Sequence, residues 1–518
     1  MSFLKRNNVF LVILLILISL PSVFPLFGNG FIRTDDADWM VIRFSAFYQA
    51  LSDGQFPVRW LPRLNHSFGY PVANFLYPGF MYLGVPLKFI GFSFIDSVKI
   101  VIAMSMIGSS LFTFFWLAKV FSRFAAFVGA AIYLYLPYHL YDLYERGSVG
   151  ELLALGVLPF ILWQIERRSF VLSAIGIGFL MLSHNTLALL FFFIIIGYMA
   201  LQSDFTKYFF WYLGVALIGI GLATFFWFPA LYDLSRTVFF QTQVSHFREY
   251  FAQVSIVGLA VPFVMLSFVF LFLMKSVKEK KHGIAFFVLG IIALFFSTGL
   301  STLFWEFLPI SFIQFPFRML SVVLISLAFL TAWVIHAISS EKRQYILAGI
   351  VFLLLFPSFL RLTNVTLHEV NDDIYATNEG TTTVQNEYMP KYVRLVPSER
   401  PDSFVFLNDE PLPIMLRPTT DVSFTVTTNK PSFLTYNQLY FPGWVATVDG
   451  ENVAIEHEKT GGIIGFQVNQ GQHVIHIVFR ETLPRILSDI VSLISLVALF
   501  AVPVILVRTS YAKHTKIF

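Results

Sequence analysis

The stretch that decides the fold is VFLVILLILISLPSVFPLF (residues 9–27), which contains no charged side chain. An apolar run of about 20 residues is long enough for a helix to cross a bilayer. Lys5 and Arg6 precede the run, as in a signal peptide, but no small-x-small cleavage site stands before Gly28. The pattern predicts a signal-anchor helix that is retained in the protein.

Two carboxylates, Asp35 and Asp36, follow this helix directly. Carboxylates beside lipid are costly to desolvate, so ionisable groups placed there usually have a function. Within about thirty residues of the pair the chain adds further charged or ionisable groups, which are Asp38, Arg43, Arg59, Arg63 and His66. The sequence therefore predicts that this loop is the chemical centre of a multi-pass membrane enzyme.

The composition places the chain in a membrane. It has 518 residues, of which 57% are hydrophobic, 18% aromatic and only 13% charged, and its mean hydropathy is +0.72. Soluble domains carry about 25% charged residues. The absence of cysteine excludes disulfides, thiolate zinc sites and cysteine nucleophiles. No basic block resembles a nucleic-acid-binding patch, so we expect no nucleic acid partner.

The apolar runs predict about twelve membrane-spanning helices. They lie at residues 9–27, 98–119, 124–143, 152–165, 170–184, 186–202, 208–230, 254–274, 283–300, 319–338, 344–361 and 485–507. Residues 74–94 are interrupted by Pro and Gly, which favours a re-entrant or interfacial helix. With that segment not crossing, the basic loops all fall on the cytoplasmic side, as the positive-inside rule requires. Both termini are then cytoplasmic.

The domain organisation follows from the same reading. Residues 1–361 form a transmembrane domain whose first exoplasmic loop is 28–97, and 484–507 is the last transmembrane helix, followed by a cytoplasmic tail at 508–518. Residues 362–483 are polar, with runs of Val, Ile, Thr and aromatic residues at 422–427, 432–440, 444–448, 453–457, 463–468 and 473–480. They predict an exoplasmic β-sandwich-like domain with a tight turn at Asp449-Gly450. It serves as a lid or docking module, or binds carbohydrate on Trp444 and Tyr440.

Asp35 and Asp36 are the candidate catalytic residues. A carboxylate can act as a general base, and the pair could also hold a divalent cation such as Mg²⁺ or Mn²⁺ through oxygen. The alternative is that one aspartate caps a helix that begins near Ala37, since Asp is a favoured N-cap residue.

Several other polar residues are candidates for binding a phosphate-bearing substrate. Arg43, Arg59, Arg63 and His66 could hold a phosphate, because guanidinium groups match phosphate oxygens; alternatively they meet lipid headgroups. The remaining candidates gather at the exoplasmic ends of spans, and they are Glu145, Arg146, Glu151, His184, Asn185, Gln314 and Arg318. A local Glu–Arg pair, a structural histidine and an anchoring Arg318 are the simpler alternatives. Arg318 at a helix N-terminus faces an unfavourable dipole, which favours a bound anion.

Three groups of motifs carry a resemblance to a known family. They are Thr34-Asp35-Asp36 with LSDGQFPVRW (51–60) and Phe68-Gly69-Tyr70-Pro71; the series Glu145-Arg146-Gly147, Glu151, Ser183-His184-Asn185 and Gln314–Arg318; and Tyr440-Phe441-Pro442-Gly443-Trp444 with Val448-Asp449-Gly450 and Gly471-Gln472-His473. The chain resembles the bacterial 6-pyruvoyl-tetrahydropterin synthase-related membrane proteins and YfhO-type proteins, which in turn resemble the GT-C glycosyltransferase superfamily. No zinc-binding histidine triad supports pterin chemistry.

The resemblance implies a function. In GT-C enzymes an acidic residue of the first exoplasmic loop is the base or a metal ligand, which here maps to Asp35 or Asp36. The implied activity is an inverting transfer of a sugar from a polyprenyl-phosphate donor to an exoplasmic acceptor at a bacterial plasma membrane. The acceptor is a cell-envelope polymer, a lipid or a protein. Two alternatives remain, a lipid or polysaccharide transporter and a non-catalytic envelope assembly protein.

Overall fold

The computed structural model describes residues 8–242, 246–274, 280–414 and 416–514. The predicted orientation depends partly on residues outside these ranges, which are Lys5, Arg6 and most of the basic cluster at 275–281. The α-helices are α1 (Asn8–Val23), α2 (Ala37–Ser52), α3 (Gly79–Phe89), α4 (Phe94–Val120), α5 (Arg123–Tyr135), α6 (Pro137–Tyr141), α7 (Val149–Glu166), α8 (Phe170–Ser183), α9 (Asn185–Ala200), α10 (Phe209–Leu222), α11 (Thr224–Leu234), α12 (Val254–Val257), α13 (Ala260–Met274), α14 (Lys280–Ser297), α15 (Thr302–Phe307), α16 (Leu320–Ala337), α17 (Glu341–Leu362), α18 (Asp372–Thr377) and α19 (Leu483–His514).

The helices form a multi-pass bundle. Within the described ranges, eight helical segments are long and apolar enough to cross a membrane, or nine if α10 and α11, which are bent by 64° at their junction, form one span. Helices α8, α9 and α13 are apolar but shorter. The predicted total of twelve is reached only if these three also cross, so it remains a prediction. Helix α3 has 11 residues, which is too short for a span and agrees with an interfacial helix.

Helix α16 is the centre of the bundle. It is apolar on every face, as expected for a helix surrounded by protein. In the segment Pro316–Ala337, which contains this helix, 89% of the residues in an apolar stretch of 18 are buried. It packs against α5, α13 and α14, while α4 packs along α7 and α5. The residues before α16, including Arg318, are therefore held inside the protein rather than at its lipid surface.

The region after α17 is rich in β-structure, as predicted. Its strands are β2 (Leu367–His368), β3 (Val405–Leu407), β4 (Glu410–Pro411), β5 (Asp421–Thr428), β6 (Ser432–Leu439), β7 (Trp444–Val448), β8 (Glu451–Val453), β9 (Ile463–Val468) and β10 (Gly471–Phe479). They form two four-stranded antiparallel sheets, ordered β5-β10-β7-β8 and β4-β3-β6-β9. The Asp449-Gly450 turn joins β7 and β8, with both residues at positive φ. The sequence predicts a strand at 453–457, but β8 already ends at Val453. Strands β3 and β4 are not predicted, because runs of two or three residues have no recognisable sequence pattern.

Trp444 is not available as a carbohydrate platform. Its side chain is 4% exposed, and it packs edge-on against Trp60 (5.8 Å between ring centroids) and against Phe479 (5.4 Å). Tyr440 is half-buried and packs against the ring of His457 at 4.0 Å. The expectation that Trp444 stacks on a sugar is therefore wrong, because the tryptophan joins the β-rich region to the first loop.

A long irregular segment returns from the end of α17 to the loop that carries the acidic pair. Strand β2 pairs with β1 (Phe31–Ile32), with Phe31 opposite His368. The chain then runs through α18 and residues 378–394, which we call the connecting segment. At its far end the Val238 N–H donates to the Met389 carbonyl oxygen (3.0 Å). The acidic pair and the β-rich region thus lie at the same end of the bundle.

Candidate functional site

Backbone hydrogen bonds fix the acidic pair to the turn before α7. The Asp35 N–H donates to the Glu145 carbonyl oxygen (3.1 Å), and the Asp36 N–H donates to the Arg146 carbonyl oxygen (2.9 Å). Two motifs that are about 110 residues apart in the sequence are thereby brought together.

Thr34, and not an aspartate, caps helix α2. Its Oγ1 accepts the Ala37 N–H (3.1 Å), while Asp36 occupies the N-cap position without a side-chain capping bond. Gly147, at a φ of +67°, lets this turn approach, because a Cβ at that position would collide with Thr34. The capping alternative for Asp36 is therefore not realised, and its carboxylate faces Arg146 instead.

Glu151 is the centre of a buried ionic cluster. Its Oε1 accepts from Arg146 Nη1 (2.5 Å) and from Arg318 Nε (2.8 Å). Its Oε2 accepts from the Tyr138 hydroxyl (3.2 Å), and the His184 Nε2 lies 3.6 Å from Oε1. The Glu151 side chain is fully buried. We call these five residues the Glu151 cluster. A buried charge requires such partners, because an isolated carboxylate would lose its hydration without compensation.

The break between α8 and α9 positions His184. Its Nδ1 accepts the Leu187 N–H (3.2 Å), so the ring proton is on Nε2, which faces Glu151. The neighbouring Asn185 donates from Nδ2 to the Phe75 carbonyl oxygen (2.9 Å). His184 therefore belongs to the cluster, whereas Asn185 holds the turn before α3.

Arg318 has its counter-anion within the protein. Besides its bond to Glu151, its Nη1 donates to the Ile313 carbonyl oxygen (3.0 Å) and to Gln314 Oε1 (2.6 Å). The sequence predicts an anion beside Arg318 because the residue lies at a helix N-terminus. The carboxylate of Glu151 provides an anion at this position. Among the described residues, nothing accepts a hydrogen bond from its Nη2, which leaves one end of the guanidinium group for a ligand.

Arg146 connects the cluster to the acidic pair. Its Nη2 lies 3.7 Å from Asp36 Oδ2, and its Nη1 also lies 3.3 Å from Asp142 Oδ1. Asp142 is fully buried in a π-helical turn at 142–146, a feature that often marks functional sites. The sequence did not single out Asp142, because it lies inside an apolar run that was predicted to span the membrane.

Among the carboxylates of the site, that of Asp35 has the fewest polar contacts with described residues. Its side chain has no hydrogen-bond or ion-pair partner among the described residues. Burial and the neighbouring Asp36 charge raise its carboxyl pKa above the ordinary value, while Arg146 acts in the opposite direction. A carboxylate with a raised pKa and no partner has the properties of a general base.

One tyrosine that the sequence did not single out contacts the site, and a second lies on the connecting segment. The Tyr77 ring lies 4.7 Å from the His184 ring and packs against Gly150, where a Cβ would collide with it. Burial raises the pKa of Tyr77 to about 12, with the Arg43 charge opposing the shift, so its hydroxyl stays protonated. Tyr388 of the connecting segment also has a pKa raised by burial. No pattern marks either residue among the 21 tyrosines of the chain.

Arg43, Arg63 and His66 contact the connecting segment instead of the Glu151 cluster. Arg43 donates to the carbonyl oxygen of Thr382 and, through Nε, to its Oγ1 (3.2 Å). Arg63 donates to carbonyl oxygens at 375–378, and the His66 N–H donates to the carbonyl oxygen of residue 379 (2.8 Å). Because the guanidinium donors of Arg43 and Arg63 are already used by protein oxygens, the geometry favours a structural role over phosphate binding for these two arginines; His66 contributes only its backbone N–H to these contacts. Arg59 is likewise paired, with Glu481 (2.9 Å) and Asp489 (3.1 Å).

Glu145 and its neighbour Arg146 face different partners. The Glu145 carboxylate pairs with Arg361 at the end of α17, so the local pair of Glu145 with Arg146 is not formed. Glu145 contributes its backbone carbonyl to the site, through the bond from Asp35, rather than its charge.

The acidic pair supplies an incomplete set of metal ligands. In the part of the chain that the structure describes, no group of three or more His, Cys, Asp or Glu residues could hold a metal ion. Asp35 and Asp36 provide two carboxylates, and Asp36 already faces Arg146. Divalent cations need about six oxygen ligands. Mg²⁺ is commonly bound by one or two carboxylates together with waters and substrate phosphates, so Asp35 and Asp36 could hold such an ion only with ligands from outside the protein.

An apolar groove leads from the lipid surface towards Arg318. It lies between α9 and α14, has a volume of about 320 Å³, and is lined by Leu190, Gly197, Ala285, Ile292 and Met319. Met319, the residue after Arg318, is one of its lining residues. The groove therefore reaches the start of α16, next in sequence to Arg318.

The comparisons with known proteins identify a family. No curated protein matches the sequence. The model of the 6-pyruvoyl-tetrahydropterin synthase-related domain, described as a membrane protein, matches residues 76–365. That range includes Glu145 to Arg318 and begins after Asp36.

Two solved structures are similar at low identity. The arabinofuranosyltransferase AftD from Mycobacteria has a TM-score of 0.46 at 15% identity, over 68% of this chain and 26% of AftD. The oligosaccharyltransferase AglB from Archaeoglobus fulgidus has a TM-score of 0.39 at 14% identity, over 73% of this chain and 56% of AglB. This chain thus spans about a quarter and about half of their lengths.

The family match covers more than half of the chain, and its range contains Glu145, Glu151, His184 and Arg318. The chain belongs to the family of 6-pyruvoyl-tetrahydropterin synthase-related membrane proteins.

Proposed function

We propose that this protein is a membrane glycosyltransferase of the GT-C type, which transfers a sugar from a polyprenyl-phosphate donor to an acceptor on the exoplasmic side of a bacterial plasma membrane. One observation carries the proposal. Asp36 of the carboxylate pair faces the guanidinium group of Arg146, the buried Glu151 holds both Arg146 and Arg318, and an apolar groove reaches Met319, the residue after Arg318.

The groove suits the lipid part of the donor. An isoprenoid chain lying in the groove along Leu190 and Met319 would bring its phosphate to the start of α16, where Arg318 has an unused Nη2. A guanidinium group with one free end can donate to a phosphate oxygen. A water-soluble sugar nucleotide would not need a path through the bilayer, so the groove favours a lipid-linked donor.

The acidic pair suits activation of the acceptor. Asp35 takes the proton of an acceptor hydroxyl, whose oxygen attacks the anomeric carbon of the donor sugar. The bond between that carbon and the phosphate oxygen breaks, and the polyprenyl phosphate leaves with the bonding electron pair. Asp36 raises the pKa of Asp35, which strengthens the base, and also faces Arg146.

The Glu151 cluster stabilises the charge that develops on the leaving phosphate. Donors fixed in advance stabilise a transition state without reorganising when the reaction occurs. Glu151 fixes both Arg146 and Arg318, and the rings of Phe315 and Phe317 pack on Arg146 at 5.4 and 4.9 Å from its guanidinium carbon. The cluster thus orients the cations and does not take part in proton transfer.

The test measures polyprenyl phosphate, which is the common product for every donor sugar and acceptor. The full-length protein in native membranes, which supply the acceptor, is given a panel of synthetic polyprenyl-phosphate hexoses and pentoses. Release of polyprenyl phosphate above that of membranes without the protein supports the proposal. A transporter would move the donor across the membrane without releasing polyprenyl phosphate from it. An assembly protein would neither move the donor nor release polyprenyl phosphate.

Arg318→Gln is expected to lower kcat for this release by about 10- to 100-fold, since a charge-assisted hydrogen bond contributes about 1.5–3 kcal/mol and Arg146 remains. The thermal midpoint is compared in parallel, because Arg318 also bonds Glu151. Unchanged kcat in a folded variant would remove Arg318 from the site.

Gly197→Leu is expected to obstruct the groove. A Cβ on Gly197 meets no atom within 4 Å, so the larger side chain fills the groove without a clash. KM for a long-chain polyprenyl donor is expected to rise about tenfold, and KM for a donor with a single short isoprenoid unit to stay the same. Gly349→Leu is the matched control, because Gly349 on α17 has equally open surroundings and lies outside the groove. Equal KM changes in both variants would argue against the groove as the lipid path.

A further inference from the structure

A second cavity, separate from the Glu151 cluster, opens beside the first helix. It has a volume of about 850 Å³ and is formed by the end of the first apolar helix, the turn at 28–30, the start of α4 and residues 369–374. Along the chain, the two strands of the β1–β2 ribbon adjoin the cavity residues 28–30 and 369–374, and β1 precedes Asp35. The proposed transfer reaction uses none of the residues that line it.

Lys99 lies at the deep end of this cavity. Its side chain is 5% exposed, and its Nζ donates to the Gly28 carbonyl oxygen (3.0 Å). An ammonium group has three donors, and here one is used. Among the described residues, no carboxylate lies within ion-pair distance of Nζ. Burying an ammonium group without an anion is costly, so the cavity is suited to a ligand that brings a negative charge to Lys99.

The rim of the cavity has the opposite charge. Asp96 and Glu369 are exposed, and neither side chain has a hydrogen-bond or ion-pair partner among the described residues. Asp372 also lines the cavity, but its two oxygens accept the N–H groups of Phe94 (3.0 Å) and Ile95 (3.1 Å). The rim therefore has two free carboxylates above one buried ammonium group.

The mouth of the cavity lies where a membrane surface would be. Phe27 at the end of the first apolar segment is 61% exposed, and Phe89, Ile90 and Phe92 before α4 are 82%, 69% and 42% exposed. Large apolar side chains exposed at the ends of two candidate spans fit contact with lipid. The acyl chains of a bound lipid would lie along these residues.

We propose that the cavity binds a phospholipid whose phosphate ester carries a primary amine, as in phosphatidylethanolamine. The phosphate accepts from Lys99, and the ammonium group donates to Asp96 and Glu369. Asp96 precedes Lys99 by three residues, a rise of about 4.5 Å along α4, which suits the short ethanolamine link between the two charges. The order also fits a bilayer, because Lys99 is deeper than Asp96 and the phosphate is deeper than the amine.

The test counts lipids bound to the purified full-length protein. Native mass spectrometry is carried out after exchange into nanodiscs that contain equal amounts of phosphatidylethanolamine, phosphatidylcholine and phosphatidylglycerol with identical acyl chains. We expect phosphatidylethanolamine to be retained about tenfold over phosphatidylcholine, whose methylated amine has no N–H donor, and over phosphatidylglycerol, which has no amine.

Charge-neutral variants locate the binding. The double variant Asp96→Asn with Glu369→Gln changes exposed side chains and is expected to remove the preference, whereas Asp409→Asn with Glu410→Gln, on the β-rich region, is expected to keep it. Lys99→Gln is expected to lower retention of all three phospholipids at this position. Equal retention of the three lipids by the unaltered protein, or an unchanged preference in the Asp96 and Glu369 variant, would overturn the proposal. Neither result bears on sugar transfer, which is measured by polyprenyl phosphate release.

Discussion

Asp35→Asn is expected to lower kcat for polyprenyl phosphate release by about 1,000-fold, within the 10²–10⁴ range typical of a lost general base. The amide keeps the size of the side chain but cannot take the acceptor proton. Because the Asp35 side chain has no partner among the described residues and its backbone N–H bond to Glu145 is retained, the variant is expected to fold normally and to bind the donor with an unchanged KM.

Asp36→Asn separates the roles of the two carboxylates. A carboxylate base works only when ionised, so the rate falls as the pH decreases through its pKa. Asp36 raises the pKa of Asp35, and the neutral amide removes this effect. The pKa of Asp35 then decreases, and the acidic limb of the pH–rate profile moves to lower pH. The loss of kcat at neutral pH is expected to be about tenfold, since the base itself remains.

Asp38→Asn is the matched control on the first turn of α2. Asp38 accepts a hydrogen bond from the Tyr375 hydroxyl, which the amide oxygen of asparagine can also accept, and it is not in contact with the Glu151 cluster. Its kcat is expected to stay within about twofold. Full activity in both the Asp35 and the Asp36 variant would rule out the proposed mechanism, and a loss in Asp38→Asn of equal size would show a structural effect instead.

The sequence predicted the parts of the site that depend on local composition. Charged residues next to apolar runs indicate the ends of spans, so Glu151, His184 and Arg318 were placed at one end of the bundle, and the structure brings all three together. Asp142 was missed because its π-helical turn follows an apolar helix without a change in the sequence pattern. That turn brings the Asp142 carboxylate into contact with Arg146. Tyr77 was missed because a functional tyrosine has no local signature in a chain rich in aromatic residues.

The functions of individual arginines depended on contacts that are distant in sequence. Arg43 bonds Thr382, which is 339 residues away, and no local pattern indicates that the connecting segment returns to the first loop. The sequence therefore could not separate Arg43 and Arg63, which hold this segment, from Arg146 and Arg318, which bind Glu151. The same limit applies to Trp444, whose burial depends on Trp60 in that loop.

Arg485→Met is expected to produce the largest loss of stability. Arg485 and Asp233 are both almost completely buried, and Asp233 Oδ2 accepts from Arg485 Nε (3.0 Å) and Nη2 (2.9 Å). The pair joins α19 to α11, close to the β-rich region. Without the arginine, the buried Asp233 carboxylate keeps only the Asn74 amide (3.2 Å) and the partly exposed Arg236 (3.6 Å) as partners. The expected cost is therefore about 3 kcal/mol, at the lower end of the range for a broken buried pair.

Two further variants identify the cause of that loss. Replacing both members, in Asp233→Leu with Arg485→Met, is expected to restore most of the stability, because no charge is left buried. Arg417→Met removes a pair with Asp53 of similar length (2.9 Å) in which the arginine side chain is 68% exposed, and it is expected to cost at most about 1 kcal/mol. Thermal unfolding of all variants in one detergent, at one scan rate, makes the comparison. If Arg485→Met and Arg417→Met lower the unfolding midpoint equally, the buried pair does not anchor α19. If the double variant regains the midpoint that Arg485→Met loses, the Asp233 charge left without Arg485 is the cause of the loss.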